Sequence, residues 1–301
     1  MYAFIQYINQ LFDPLIEVTQ NFSVLQTSMV AAVCVFELMD ETDYEPVQGN
    51  QELTIEKEEI TFNHVSFSYD GKQDVLKDIS FTVKEGETIT FVGSTGSGKS
   101  SIINLFMRFY EYDRGEILLD GHNLKDYSQE ELRSKVGLVL QDPFLYHGTI
   151  TSNIRMYQEQ LTQADLEVAA RFVYADDFIQ NLPEGYDTKV TERGSTYFSG
   201  QRQLIAFART MATQPKILIL DEATANIDSE TEEIIQNSLR KMRQGRTTIA
   251  IAHRLSTIQD ANCIYILDKG RIIEAGNHQE LIQLGGTYKK MYELQAGMMG
   301  K

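Results

Sequence analysis

Basic residues are scarce in this 301-residue chain: 27 Lys and Arg stand against 43 Asp and Glu, a formal net charge of −16. A nucleic-acid partner needs a basic stripe, and this balance argues against one. The acidity itself reads as a solvated surface. Cysteine is nearly absent. Cys34 and Cys263 stand singly in apolar runs with no CxxC pattern, so both are expected as buried free thiols of a reducing compartment. No basic segment follows Met1, and no signal peptide is expected there. No uninterrupted apolar run approaches the ~20 residues that span a bilayer. Internal repeats and low-complexity tracts are also lacking. What remains, 42% hydrophobic and 23% charged, is a globular composition with length for one large or two modest domains.

Residues 1–39 read as one long helix, apolar at Phe4, Ile5, Ile8, Leu11, Phe12, Leu15, Ile16 and Val18, and again from Met29 to Phe36. Only Asp13, Glu17 and Glu37 carry charge, and no Lys or Arg precedes Lys57. Two readings are open: an amphipathic helix packed on its own domain, or the membrane-proximal end of a helix whose upstream part is missing. Residues 40–58, acidic with a Pro and a Gly, have the composition of a linker. From Glu59 onward strands and helices alternate. Ile60–Tyr69 and Ile79–Val83 alternate apolar with polar, whereas Ile217–Leu220, Thr247–Ala252 and Cys263–Leu267 are continuous apolar runs. Such runs predict a parallel sheet covered on both faces. Helical spacing covers Ser128–Ser134, Gln163–Phe172, Gly200–Met211, Glu230–Met242 and Asn277–Leu284. The pattern predicts a doubly wound α/β core, with a helix-rich insertion over about 128–182.

One stretch dominates the chemistry. Gly93, Ser94, Thr95, Gly96, Ser97, Gly98, Lys99 and Ser100 fit G-x-x-x-x-G-K-[ST] at every fixed position. The strand-like Thr88–Val92 precedes it, and helical spacing from Ser101 to Phe109 follows. In that context glycines let the backbone curl so that N–H groups and a helix N-terminus face phosphates. Lys99 would reach the β- and γ-phosphates, and the Ser100 hydroxyl would ligate Mg²⁺. Chance alone gives such a match in roughly one chain in a hundred of this length.

Further along, Ile217–Asp221–Glu222 is a buried strand ending in two carboxylates. A strand tip in a parallel sheet faces the ligand crevice. Asp221 is placed to hold Mg²⁺, and Glu222 to orient and deprotonate a water for attack on the γ-phosphate. His253 ends the strand Thr247–Ala252 and stands where a γ-phosphate contact is expected.

From Glu59 onward these segments resemble the nucleotide-binding domain of an ATP-binding-cassette (ABC) transporter. Phe67-Ser-Tyr69 resembles the family's aromatic loop, which implies that Tyr69 stacks on adenine. Val139–Ile150 resembles the exporter Q-loop, with Gln141 on Mg²⁺ and the attacking water. Thr191–Gly194 resembles the exporter segment before the signature, Ala225–Asp228 the D-loop, and His253 the switch histidine. The resemblance implies a P-loop NTPase core with an antiparallel β-subdomain and an inserted helical subdomain, ATP and Mg²⁺ as ligands, and Ser101 among the nucleotide-binding positions.

The signature departs from LSGGQ. Tyr197, Phe198, Ser199, Gly200 and Gln201 stand in its place. Phe198 offers no hydroxyl, and its ring crowds a site where backbone approaches phosphate; a tolerated substitution is the alternative. The resemblance also implies that residues 1–39 are the end of a last transmembrane helix, with the membrane domain missing upstream. The expectation is an ATP-hydrolysing half of a multidrug-type exporter on the cytoplasmic face of the plasma membrane, paired with a second, different half-transporter. A soluble ABC ATPase and a regulatory cassette that binds ATP without cleaving it are the alternatives.

Overall fold

The computed structural model describes residues 2–41, 49, 51–191, 194, 196–221, 229–252 and 258–299. Two compact units divide the chain, Met1–Val47 and Gln48–Lys301. The first is the helix α1 (Tyr2–Met39), which carries Pro14 inside it. Proline supplies no N–H to the preceding turn, yet the helix continues. Its described side chains are exposed throughout. By length and composition, Gln6–Met39 is able to cross a membrane. Cys34 is therefore exposed and Cys263 only half-buried. The burial expected of both thiols fails for Cys34 because its unit, among the described residues, is a single helix with no second layer.

The second unit runs β1 (Ile60–Phe67), β2 (Leu76–Val83), β3 (Thr88–Gly93), α2 (Lys99–Phe106), β4 (Arg114–Leu119), β5 (His122–Asn123), α3 (Gln129–Lys135) and β6 (Val136–Val139). It continues with β7 (Gly148–Thr149), α4 (Ile150–Arg155), α5 (Gln163–Phe172), α6 (Asp176–Gln180), β8 (Lys189–Val190), α7 (Ser199–Ala212), β9 (Ile217–Asp221) and α8 (Ser229–Arg243). The last elements are β10 (Thr247–Ile251), β11 (Cys263–Asp268), β12 (Arg271–Gly276), α9 (His278–Leu284) and α10 (Thr287–Met299).

A six-stranded sheet, ordered β12-β11-β3-β10-β9-β6, forms the centre. Its strands are parallel except the edge strand β12. The continuous apolar runs follow from burial on both faces. Ile217 and Ile219 of β9 join one core cluster, whereas Leu218 and Leu220 join another. The first cluster lies against an antiparallel sheet, β2-β1-β4-β5. Stacked Phe62 and Phe81, at 4.5 Å, lead on to Phe91 of β3 at 5.1 Å. The second cluster is built by α4, α5, α6, α7 and α8.

Two expected boundaries shift. β6 lies within 128–182 but is a strand of the central sheet, so the helical insertion begins only at α4. The stretch 51–58, read as linker from its acidity, is pinned to the domain. Leu53 is buried, and the Asp120 carboxylate accepts N–H bonds from Glu56, Lys57 and Glu59 at 2.7–3.1 Å. A single acceptor of three backbone donors orders a polar segment that composition alone marks as loose.

Gly93 fixes where β3 meets β11. It pairs with Leu267, and a Cβ added there would lie 2.3 Å from the Leu267 carbonyl oxygen. Gly93→Ala must separate the two strands, and overpacking of this kind costs ~1–3 kcal/mol. Urea unfolding followed by circular dichroism should show a lower midpoint; an unchanged midpoint would mean that the strand pair yields freely.

Candidate functional site

The candidate site is built where parallel strands end together. β3 runs into the loop 93–98 and α2 follows at Lys99. Gly96 and Gly98 take φ of +80° and +106°, which side chains rarely adopt, so the loop curls over the sheet edge. The Lys99 ammonium is buried and folds back onto its own loop. It donates to the carbonyls of Gly93 at 2.8 Å and Ser94 at 2.9 Å, with Ser97 Oγ at 3.5 Å. Burial pushes its pKa down from the ordinary lysine value, and the Asp221 charge pulls it partly back. Asp221 ends β9 and stands level with Ile251 of β10, which pairs with Phe91 of β3. Two strand spacings separate the Asp221 and Phe91 backbones, roughly 10 Å. Gln141 follows β6 at the same sheet edge and is exposed. Ser94, Thr95 and Ser100 are exposed as well.

Tyr69 stands at the far side of this loop. Its ring is half exposed and meets Phe67 and Tyr110 edge-on at 4.7 and 4.8 Å. Its hydroxyl is tied to the phosphate-loop helix by Ser101 Oγ at 3.0 Å and Asn104 Nδ2 at 3.2 Å. Ser101 is itself buried, so its hydroxyl braces the aromatic loop. A cleft of about 480 Å³ opens between Tyr69 and Gly96, bounded also by Asp74, Val75, Lys77 and Lys269. The cleft joins a flat ring to a phosphate loop, the two ends of a nucleotide.

The ABC transporter family profile matches residues 76–225. A putative ABC transporter ATP-binding protein, exp8, of Streptococcus pneumoniae is 70% identical over 299 residues, 99% of this chain and 51% of that protein. The probable multidrug resistance ABC transporter ATP-binding/permease protein YheH of Bacillus subtilis is 50% identical over 99% of this chain and 44% of its own length. The chain belongs to the ABC transporter family. Among solved structures, a bacterial Atm1-family ABC exporter with ATP bound superposes with a TM-score of 0.81 at 38% identity, covering 96% of this chain and 51% of that one. The chain spans about half the length of the curated relatives it matches.

Within this ABC domain the signature-like residues sit at the start of α7. Tyr197 is buried, Phe198 is 78% exposed in extended backbone, and Ser199 opens the helix. Gln201 Oε1 accepts the Phe198 N–H at 3.2 Å, but a phenyl ring caps nothing in return. Gly200 is buried. Glu222, the Ala225–Asp228 loop and His253 lie outside the described residues, as do Glu192 and Arg193 of the Thr191–Gly194 segment.

Pattern reading missed a clamp between α7 and the Q-loop segment. Arg209 donates to the Asn153 carbonyl at 2.7 Å, to Asn153 Oδ1 at 3.2 Å and to the Phe144 carbonyl at 3.1 Å, and lies over the Tyr146 ring. Asn153 accepts the Tyr146 N–H and returns bonds to the Tyr146 and Thr149 carbonyls. Seven residues before Arg209, Arg202 lies 4.0 Å from Asp142. Isolated polar residues at these spacings carry no sequence signature, which is why the clamp was invisible. Removing the Asn153 amide leaves the Tyr146 N–H and carbonyl short of partners, while Ser152 Oγ still donates to the Thr149 carbonyl at 2.8 Å, so Asn153→Ala should cost ~2–4 kcal/mol. Hydrogen exchange should find the Tyr146 amide less protected than in the wild type; equal protection would remove Asn153 from that role.

Proposed function

We propose that this chain is the ATP-binding and ATP-hydrolysing part of a multidrug-type ABC exporter subunit, at the cytoplasmic face of the plasma membrane. On this reading α1 is the end of the last transmembrane helix, residues 40–50 lead out of it, and 51–301 form the ATPase domain. The observation that carries the reading is the buried Lys99 in its glycine loop, at the sheet edge that also presents Asp221 and Gln141 and opens toward Tyr69.

Tyr69 offers adenine a flat face, and the curled loop with Lys99 receives the phosphates. Glu222, next to Asp221, is the general base that takes the proton of the attacking water; Gln141 and His253 orient the water and the γ-phosphate. Mg²⁺ prefers one or two carboxylates plus substrate oxygens. Asp221 with the Ser100 hydroxyl and Gln141 fits that demand, and the ion would supply charge neutralisation at the phosphates.

The partner is a second, different half-transporter. In a head-to-tail pair each ATP is covered by the other subunit's signature. Phe198 places an exposed ring where a hydroxyl belongs, so two copies of this chain would cover both ATPs with the defective Tyr197–Gln201 segment. A partner with an intact LSGGQ would complete the site formed by Lys99 and Glu222. Such a partner would lack a Glu at the position matching Glu222, leaving one hydrolytic site and one that mainly holds ATP. Closing of the pair on ATP is a population shift toward the state that binds it better.

The test measures ATPase activity of the full-length subunit alone and with a half-transporter that carries an intact LSGGQ. Activity should require the pair, and Glu222→Gln in the pair should lower turnover by ~10²–10⁴ while ATP binding persists. Robust activity of the lone subunit, unchanged by the partner, overturns the heterodimer; near wild-type turnover of the Glu222→Gln pair removes the assigned base.

A further inference from the structure

The turn between β11 and β12 has no part in the assignments above, yet it forms a wall of the nucleotide cleft. Asp268 pairs with Arg271, so Lys269 and Gly270 alone make the turn, at φ of +49° and +80°. Two positive φ values in a two-residue hairpin turn favour Asn-Gly or Asp-Gly. Gly270 obeys that demand for a visible reason: a Cβ there would lie 2.1 Å from the Val75 carbonyl oxygen. Lysine at the first position does not follow the preference. Such a residue in left-handed backbone is an outlier held by its surroundings, and outliers of this kind gather at ligand sites.

The surroundings are the phosphate loop. The Gly270 N–H donates to the Ser97 carbonyl at 3.1 Å, and the Gly270 carbonyl accepts the Lys77 N–H at 2.8 Å. Gly270 Cα also lies 3.8 Å from where a Cβ on Gly98 would stand. Lys269 is thus one residue from the loop that cradles phosphates, and its exposed side chain lines the cleft with Tyr69, Gly96 and Lys77. The cleft's carboxylates are spoken for. Asp74 is paired with Arg114 at 2.7 Å, and Asp70 accepts from Ser68 and from the N–H groups of Lys72 and Gln73. Among the described residues, neither Lys269 nor Lys77 has an ion-pair partner. Two unpaired cations in a strongly acidic chain therefore face the space between the ring and the phosphate loop.

We propose that Lys269, with Lys77 beside it, is a further nucleotide-binding residue that contacts the ribose–phosphate part of the bound nucleotide. The proposal rests on the nucleotide reading of the cleft. Its ammonium would meet phosphate oxygens outside the glycine loop and add charge attraction that an uncharged nucleoside does not feel.

The experiment is equilibrium binding of ATP, ADP and adenosine, by titration calorimetry, to the full chain in detergent. Lys269→Asn is the main variant, because asparagine accepts left-handed backbone better than lysine, so the turn should be kept while the charge is lost. ATP and ADP should bind about 3–10-fold more weakly, adenosine should be unchanged, and the loss should shrink at high salt. Lys269→Arg should keep most of the affinity. Unchanged ATP binding by Lys269→Asn overturns the proposal, and so does an equal loss for adenosine, which would mean distortion of the cleft. Lys99→Ala and Tyr69→Ala run as references for the underlying reading. If neither weakens ATP binding, the nucleotide lies elsewhere and that reading fails, whatever Lys269 does.

Discussion

A buried ammonium held by the carbonyls of its own loop is the constraint on which this structure turns. Lys99 is taken from water at a steep cost in solvation, and two short bonds to Gly93 and Ser94 offset part of it. The arrangement requires backbone that curls without side chains, hence positive φ at Gly96 and Gly98. It also requires a strand end that does not move. β3 supplies that by sitting in the middle of the sheet between β11 and β10, with its residues buried up to Val92. The Asp221 charge, delivered by a strand two places away, keeps the lysine's positive charge tolerable.

The same logic explains why, among the described residues, the buried side chains gather in three cores rather than one. Each face of the central sheet needs its own cover, and the side chains of β9 divide between them by simple alternation. The antiparallel sheet on one face also carries Tyr69 to the rim of the phosphate loop. The helices on the other face carry the signature-like residues and, through Arg209 and Asn153, take hold of the segment after Gln141. Tyr69 thus reaches this edge from one layer, and the segment after Gln141 is held from the other. The third core, with Ile264, Ile266 and Tyr288, fixes β11 and with it the turn at Lys269.

What the sequence reveals and what it conceals divide along physical lines. The central strands were legible because burial on both faces leaves continuous apolar runs, and the helices because apolar residues recur in them at helical spacing. The phosphate loop was legible because only glycine serves its backbone. Strand β6 was lost inside a helix-rich stretch because four residues are too few to show a period. The pinned stretch 51–58 was misread because its order comes from Asp120, some sixty residues away. The clamp of Arg209 and the turn of Gly270 against Val75 are likewise long-range, and composition is blind to them.

The start of α7 shows how a local departure bears on assembly. A helix opening needs acceptors for its first N–H groups, and Ser or Thr usually provides one. Here Gln201 reaches back to the Phe198 N–H, so half of the usual reciprocal arrangement survives without the hydroxyl half. The ring itself is not used to fill a core: Tyr197, one residue earlier, is buried in the helical layer while Phe198 projects outward. A large apolar ring held in solvent gains nothing for the isolated domain. Under the proposed pairing its surroundings would come from another subunit, and a bulky ring without a donor would suit a site that retains ATP better than one that cleaves it. The phosphate loop and its sheet edge carry no matching departure, so under that same proposal the chain would bring one regular half-site and one altered half-site to the pair. On that proposal it is this asymmetry that makes a non-identical partner the economical arrangement.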